Sequence, residues 1–457
     1  MTRFRLAIVL LAAIAAASTV RADDNAAAEG LPEERIADET AAGEALSAGP
    51  PVSTREDVIQ YLRDRPTLLT DPWDIRHRLF DEGIDLDGTY YLVVQGNPVG
   101  GGTRGVSVLG ALSFGLDLDL TRLLRAWRGL SLYSSFVWIV SNSDLTDDRV
   151  YNWNELNPFA SGDPPDRFGL GQLYMQQMLF DDALLLQAGQ VYLGGELNLS
   201  PLYLYYLNYA ISPNPGSIFN SYNTFNYNPF GSLGALFKYR FLKRYYVAGG
   251  TGLVSDEFIR PENHGINLTP PGTGWATQFE TGVRWAIAQE ARDRSGHAWA
   301  GVYFNPSEQE RIDVPKDPAK PPPTSAGTYG LYAAADQTLY RLAGASTRAI
   351  KAWVNLSWNK PSATYAPLTV ATGLVCIGPW GERPRDSLAF GLFLTDFLSR
   401  TTNLGHQTQD VVLELGYNVV LARWLVVTPD LQYVFNPSGY GTIPDALVLS
   451  VMFGVTL

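Results

Sequence analysis

The sequence predicts an all-β fold: a transmembrane antiparallel β-barrel of about sixteen strands, with a short N-terminal periplasmic helix and an infolded external loop. Three observations carry this expectation. Apolar residues alternate with period two from residue 88 to the end, the connectors alternate between long and short, and no segment past the N-terminus is a long apolar run. The C-terminal "ALVLSVMFGVTL" is the clearest case, with Leu447, Leu449, Val451, Phe453, Val455 and Leu457 on one face. Val448, Ser450, Met452, Gly454 and Thr456 take the other.

At the N-terminus, Arg3 and Arg5 precede an apolar run over 6–17, and Val20-Arg21-Ala22 offers a small-x-small cleavage site. Residues 1–22 therefore read as a secretory signal peptide, too short to span a bilayer. Residues 23–70 read as a flexible leader rich in Ala, Glu, Gly and Pro. Within it, "STREDVIQYLRDR" predicts one short periplasmic helix with Ser53 or Thr54 as N-cap. That helix either tethers the leader or plugs the lumen. A barrel domain is expected over 71–457. The net charge of −12 argues against nucleic acid as a partner, and the single cysteine, Cys376, excludes an intrachain disulfide.

Strands are expected near 88–96, 108–120, 130–140, 168–180, 183–191, 233–241, 244–254, 275–287, 297–304, 327–340, 349–358, 367–378, 385–396, 409–420, 424–435 and 446–457. Connectors after odd strands include lengths of about 27, 41, 20 and 22 residues, whereas those after even strands stay below about 10. Asp181-Asp182 and Leu242-Lys243 read as tight turns. A closed meander with all its long loops at one end suits a membrane barrel, because closure pairs every backbone group that lipid would leave unsatisfied. Trp127, Trp275, Trp285, Trp358 and Trp424 near strand ends suit its interfacial girdles. About sixteen strands enclose more space than side chains fill, so an aqueous channel is expected.

The longest connector, 192–232, carries one charge, Glu196. Its aromatics include Tyr203, Tyr205, Tyr206, Tyr209, Tyr222 and Tyr227, and its amides include Asn208, Asn220 and Asn223. Folded into the lumen, such a segment would narrow the channel with flat rings and neutral hydrogen-bonding groups. That chemistry suits an uncharged polyhydroxyl solute, held weakly enough to pass. The competing reading has these rings pack the loop onto the barrel wall. The inward strand faces supply charge: Asp117 with Asp119, Lys238 with Arg240, Glu280 with Arg284, and Glu414, Asp430 and Gln432 on late strands.

The blocks "RHRLFDEGIDLDGTYYLVVQGNPVGG", "LGALSFGLDLDLTRLLRAWRGLSLY", "LYMQQMLFDDALLLQAGQV", "YGLYAAADQTLYR", "GPWGERPRDSLAFGLF" and "TPDLQYVFNPSG" follow one another in order. Together they resemble the carbohydrate-selective porin family. The resemblance implies a Gram-negative outer-membrane barrel, commonly sixteen-stranded, that passes sugars by facilitated diffusion past an infolded loop. Its expected partners are sugar solutes, outer-membrane lipids and lipopolysaccharide, and the barrel-assembly machinery, with monomer and homotrimer both open. Other readings are a general diffusion pore and an adhesion barrel. An enzyme is disfavoured, since His77, His264, His297 and His406 lie in no catalytic motif, and His264, His297 and His406 are expected at the surface. No cofactor is expected, and metal ions only adventitiously at loop carboxylates.

Overall fold

The computed structural model describes residues 64–457 except 72, 126, 160–165, 214, 216–229, 256–262, 267–273, 286–294, 312, 314–320, 322, 343–346 and 403–404. The expected signal peptide, most of the leader with its helix, and Asn220, Tyr222, Asn223 and Tyr227 lie outside these residues. Sixteen strands run in chain order. They are β1 (Ile84–Val99), β2 (Val106–Asp119), β3 (Leu130–Ser141), β4 (Asp166–Leu179), β5 (Leu184–Val191), β6 (Ser232–Phe241), β7 (Tyr245–Val254) and β8 (Gly274–Trp285). They continue as β9 (Gly296–Glu310), β10 (Thr324–Arg341), β11 (Ala349–Asn359), β12 (Leu368–Ile377), β13 (Ser387–Thr402), β14 (Gly405–Ala422), β15 (Leu425–Phe435) and β16 (Ala446–Thr456). Each pairs antiparallel with its sequence neighbours, and β1 pairs with β16 to close the barrel.

Register and burial sort the two faces. Phe114, Phe279, Leu415, Leu449 and Phe453 are exposed on the outer surface, while Ser450, Glu280, Glu414 and Gln432 point inward and are covered. Large apolar side chains exposed on a closed barrel form a surface that hydrocarbon must cover. The alternation read from the C-terminal segment therefore matches the observed faces of β16, with Leu449 and Phe453 outside and Val448 and Ser450 inside. Trp127, Trp275 and Trp358 stand exposed near strand ends, as a girdle requires.

The strands outrun the alternation at the loop end. β9 and β10 form a tall hairpin through Glu310 and Thr324, and β13 and β14 pair as far as Thr402 and Gly405. The covered residues of these extensions, such as Asn305, Ser307 and Gln407, are polar, so hydropathy does not alternate there even though burial does. A register break between Asp396 and Arg400 marks the change. At the other end, the sequence reading missed α1 (Ile75–Asp81), whose first turn is held by Asp71. Its carboxylate accepts from the N–H groups of Ile75, Arg76 and His77. Asp119, expected in the lumen, caps α2 (Leu120–Leu124) by accepting from Thr121 and Arg122 and pairs with Arg122 at 3.2 Å.

The two tight turns are confirmed, and their backbone is left-handed: Asp181 and Asp182 have φ of 53° and 62°, Leu242 and Lys243 of 47° and 57°. Such turns match the right-handed twist of the strands they join, and favour Asn and Gly. Replacing Leu242-Lys243 with Asn-Gly should stabilise the barrel by about 1–2 kcal/mol. The readout is a higher temperature for the loss of compact migration in gel electrophoresis, at unchanged conductance.

Candidate functional site

The described residues of the loop after β5, 192–213, enter the lumen and follow the inner wall. It makes one 3-10 turn at Leu193–Gly195 and another at Pro201–Tyr205, the latter capped by Ser200. Three inward carboxylates on different strands hold it. Glu280 on β8 accepts from the N–H of Asn198 at 2.7 Å and from the hydroxyls of Tyr246 and Tyr332 at 2.8 and 2.7 Å. Asp336 on β10 accepts from Ser200 Oγ at 2.7 Å. Glu414 on β14 accepts from the N–H groups of Leu207 and Asn208 at 2.5 and 3.2 Å. A buried carboxylate needs such donors to repay its lost hydration, and a loop in a wet lumen needs strong acceptors to hold still.

Amides and rings complete this collar. Asn198 Oδ1 accepts from Trp299 Nε1 on β9 and from Asn355 Nδ2 on β11. Asn208 Nδ2 donates to Gln432 Oε1 on β15, and Gln432 in turn donates to Asp430 and to the carbonyl of Leu156. The Trp353 ring stands between Tyr203 and Tyr206, with centroids 5.1 and 5.3 Å away and both pairs edge-on. Tyr206 receives the Trp353 Nε1 hydrogen at 3.0 Å and donates to the carbonyls of Leu374 and Phe390. Burial pushes the Tyr203 and Tyr206 hydroxyls well above their ordinary range, so both stay neutral. Inward Gly373 makes the room, because a Cβ there would lie 2.3 Å from the Tyr206 hydroxyl.

The sequence-derived site is thus split. Tyr203, Tyr206, Tyr209 and Asn208 are covered, so they act on the channel by fixing the collar and not by presenting rings to it. Tyr205 is half-buried, and its carbonyl accepts from Asn418 Nδ2. Glu196 pairs with Lys238 at 3.1 Å, and the Lys238 ammonium sits 5.1 Å over the Tyr246 ring. Arg240 and Arg284 are exposed on inward positions near the periplasmic ends of β6 and β8. His297, expected at the surface, is buried on β9, where its Nε2 meets the Tyr246 hydroxyl at 3.1 Å and its ring stacks on Trp299. Trp299, Asp336, Tyr246, Tyr332, Trp353 and Asn355 were missed; their one signal was polar or aromatic residues at inward positions of period-two strands.

Across the lumen the wall is different. Asp85 on β1 pairs in register with Asp117 on β2, and Asp117 with Tyr133 on β3. The Tyr133 ring lies 5.2 Å from that of Tyr174 on β4. Asp85 and Asp87 are exposed, and Asp117, Tyr133 and Tyr174 half-exposed. In a ring of sixteen strands, β1 stands opposite β9, so this acidic and aromatic patch faces the wall bearing Arg284 and Lys351.

This geometry has relatives. The family model of the carbohydrate-selective porin, OprB family, matches residues 103–457. The chain belongs to the OprB family of carbohydrate-selective porins. The porin is 22% identical to Porin B of Pseudomonas aeruginosa over 370 residues, 74% of this chain and 79% of that one. Its fold is similar to the high-pH structure of Pseudomonas putida OprB, with a TM-score of 0.78 at 20% identity, covering 86% of this chain and 99% of that one. Salmonella typhi OmpF, in complex with daunomycin, is more remote, with a TM-score of 0.50 at 10% identity, covering 82% of this chain and 98% of that one. The porin is accordingly a sugar-diffusing channel of the Gram-negative outer membrane.

One loop contact lies beside a buried acid. The β3–β4 connector meets the collar where Tyr209 N–H donates to the Glu155 carbonyl at 2.8 Å. Burial, with Asp144 and Asp147 beside it, pushes the Glu155 carboxyl up to about 8. Carboxylate oxygens of the three acids lie within 4.8 Å of one another. A pKa raised by folding stabilises the loop below the ordinary carboxylate range, and that contribution is lost as pH rises through about 8. Raising pH from 6 to 9 should increase open-channel noise in bilayer recordings, and Glu155→Gln should abolish the change. Glu414→Ala strands two collar N–H groups at a cost of about 2–3 kcal/mol. It should give larger, flickering conductance, as should Gly373→Ala, with the barrel still resistant to detergent.

Proposed function

We propose that sugars pass through this porin by facilitated diffusion, between the rigid collar and the patch formed by Asp87, Asp117, Tyr133 and Tyr174. What supports this most directly is the Asp117–Tyr133–Tyr174 alignment, which sets carboxylate acceptors beside partly open ring faces. A pyranose lays its C–H face on an aromatic ring and donates its hydroxyls to carboxylates. Water fills the remaining hydrogen-bonding sites, so binding stays near millimolar, about −4 kcal/mol, and release stays fast. Arg284 and Lys351 on the facing side offer donors to the same hydroxyls from across the channel, with Arg240 on β6 beside the patch. The collar contributes width: fixed to the wall at many points, it sets a steady aperture that needs no gate for passive flow. Transit would carry mono- and small oligosaccharides and involve no chemical step. Insertion through the barrel-assembly machinery, and contact with lipopolysaccharide in the outer leaflet, follow from the outer-membrane setting.

Purified protein in planar bilayers should give steady conductance that glucose and maltose reduce saturably. The pair Tyr133→Ala and Tyr174→Ala should raise the half-blocking concentration about tenfold, equivalent to about 1.4 kcal/mol. Conductance that no sugar alters would leave a pore and remove this path, and unchanged block in the double variant would move the contacts elsewhere.

A further inference from the structure

The outer surface of the barrel is not evenly covered by large side chains. Across β5, β6, β7 and β8, register aligns Ala188, Ala235, Thr251 and Thr277 in one row of small outward residues. In the next row toward the periplasm, Gly249 lies in register between Phe237 and Phe279. A Cβ at Gly249 would approach Phe279 to 2.7 Å and Phe237 to 3.0 Å, so only glycine fits between the rings. These small positions are the floor of an apolar groove of about 540 Å³. Met175, Leu186 and the two phenylalanines wall it, and it extends to Leu130 and Gln177 at the periplasmic rim.

We propose that this groove holds one acyl chain of an anionic glycerophospholipid from the periplasmic leaflet. Its position within the apolar belt means that hydrocarbon must fill it, and its size is that of a small-molecule site. The rim end is basic. Gln177 Nε2 donates to the Arg128 carbonyl at 2.9 Å and its Oε1 accepts from Trp127 Nε1, which ties the turn before β3 to the mouth of the groove. That turn exposes Arg125 and Arg128 to the interface, with Trp127 71% exposed between them. A phosphate takes two guanidinium groups, and an indole at the interface orients the glycerol region. Asp181 and Asp182 in the next turn repel a phosphate and direct the headgroup to the arginine side. A second barrel is a poorer occupant, because a broad convex wall cannot enter a groove floored by alanine and glycine.

The test is native mass spectrometry of the detergent-purified porin titrated with palmitoyl-oleoyl phosphatidylglycerol. One lipid should bind in preference to further ones, and Ala188→Phe with Ala235→Phe should weaken that first binding at least tenfold without changing conductance. Arg125→Ser with Arg128→Ser should bring phosphatidylglycerol binding down to that of uncharged palmitoyl-oleoyl glycerol. Unaltered affinity in the groove-filling variant overturns the proposal. So does a wild-type oligomer that the same variant dissociates, which would make the groove a subunit contact. In case the filled variant does not fold, wild-type protein is irradiated with phosphatidylglycerol carrying a diazirine on its acyl chain. Labelling concentrated on peptides around 175–188 and 235–251 supports the site, and labelling spread evenly round the barrel overturns it.

Discussion

The whole molecule depends on backbone hydrogen bonding in a medium that offers none. Hydrocarbon cannot satisfy an N–H or C=O, so the sheet must have no edge. The pairing of β1 with β16, from Thr89 with Thr456 to Gly96 with Leu449, removes the last one. Leu457 extends the seam, with its N–H on the Gly88 carbonyl and its own carbonyl accepting from Arg76. Closure at sixteen strands then dictates the interior. The enclosed space is too wide for side chains to fill, so it fills with water or with chain.

This porin does both, and divides them by side. From β8 to β15 the collar covers the wall, and inward acids, amides and tryptophans that would otherwise face water are turned to holding it. From β1 to β4 the wall stays partly open, with Asp85 and Asp87 exposed and Asp117, Tyr133 and Tyr174 half-exposed. The two halves use the same residue types for opposite ends. Glu280 is held by three protein donors and covered, whereas Asp87 stands exposed. Burial separates the two roles, and composition does not.

That division explains what could be read in advance. Period-two alternation follows from the lipid face, so strand existence, face assignment and the short turns at Asp181-Asp182 and Leu242-Lys243 were legible from local pattern. The strand extensions to Glu310 and Thr402 were not, since their covered positions carry polar residues such as Asn305, Ser307 and Gln407 and the hydropathy does not alternate. The 192–232 loop was legible as an inserted segment from its length and lack of charge. The direction its tyrosines face was not, because Tyr203 and Tyr206 meet Trp353 and Asn355 about 150 residues away in sequence. His297 was misplaced for a related reason: its cover comes from Tyr246 on the β7 strand, 51 residues earlier, together with Trp299 two residues along its own strand.

The collar also links strands that the sheet itself does not pair. Asn198, Ser200 and Leu207 engage Glu280 on β8, Asp336 on β10 and Glu414 on β14, three strands that are not neighbours in the ring. One inserted segment thereby serves as an inner brace, coupling parts of the cylinder that share no ladder.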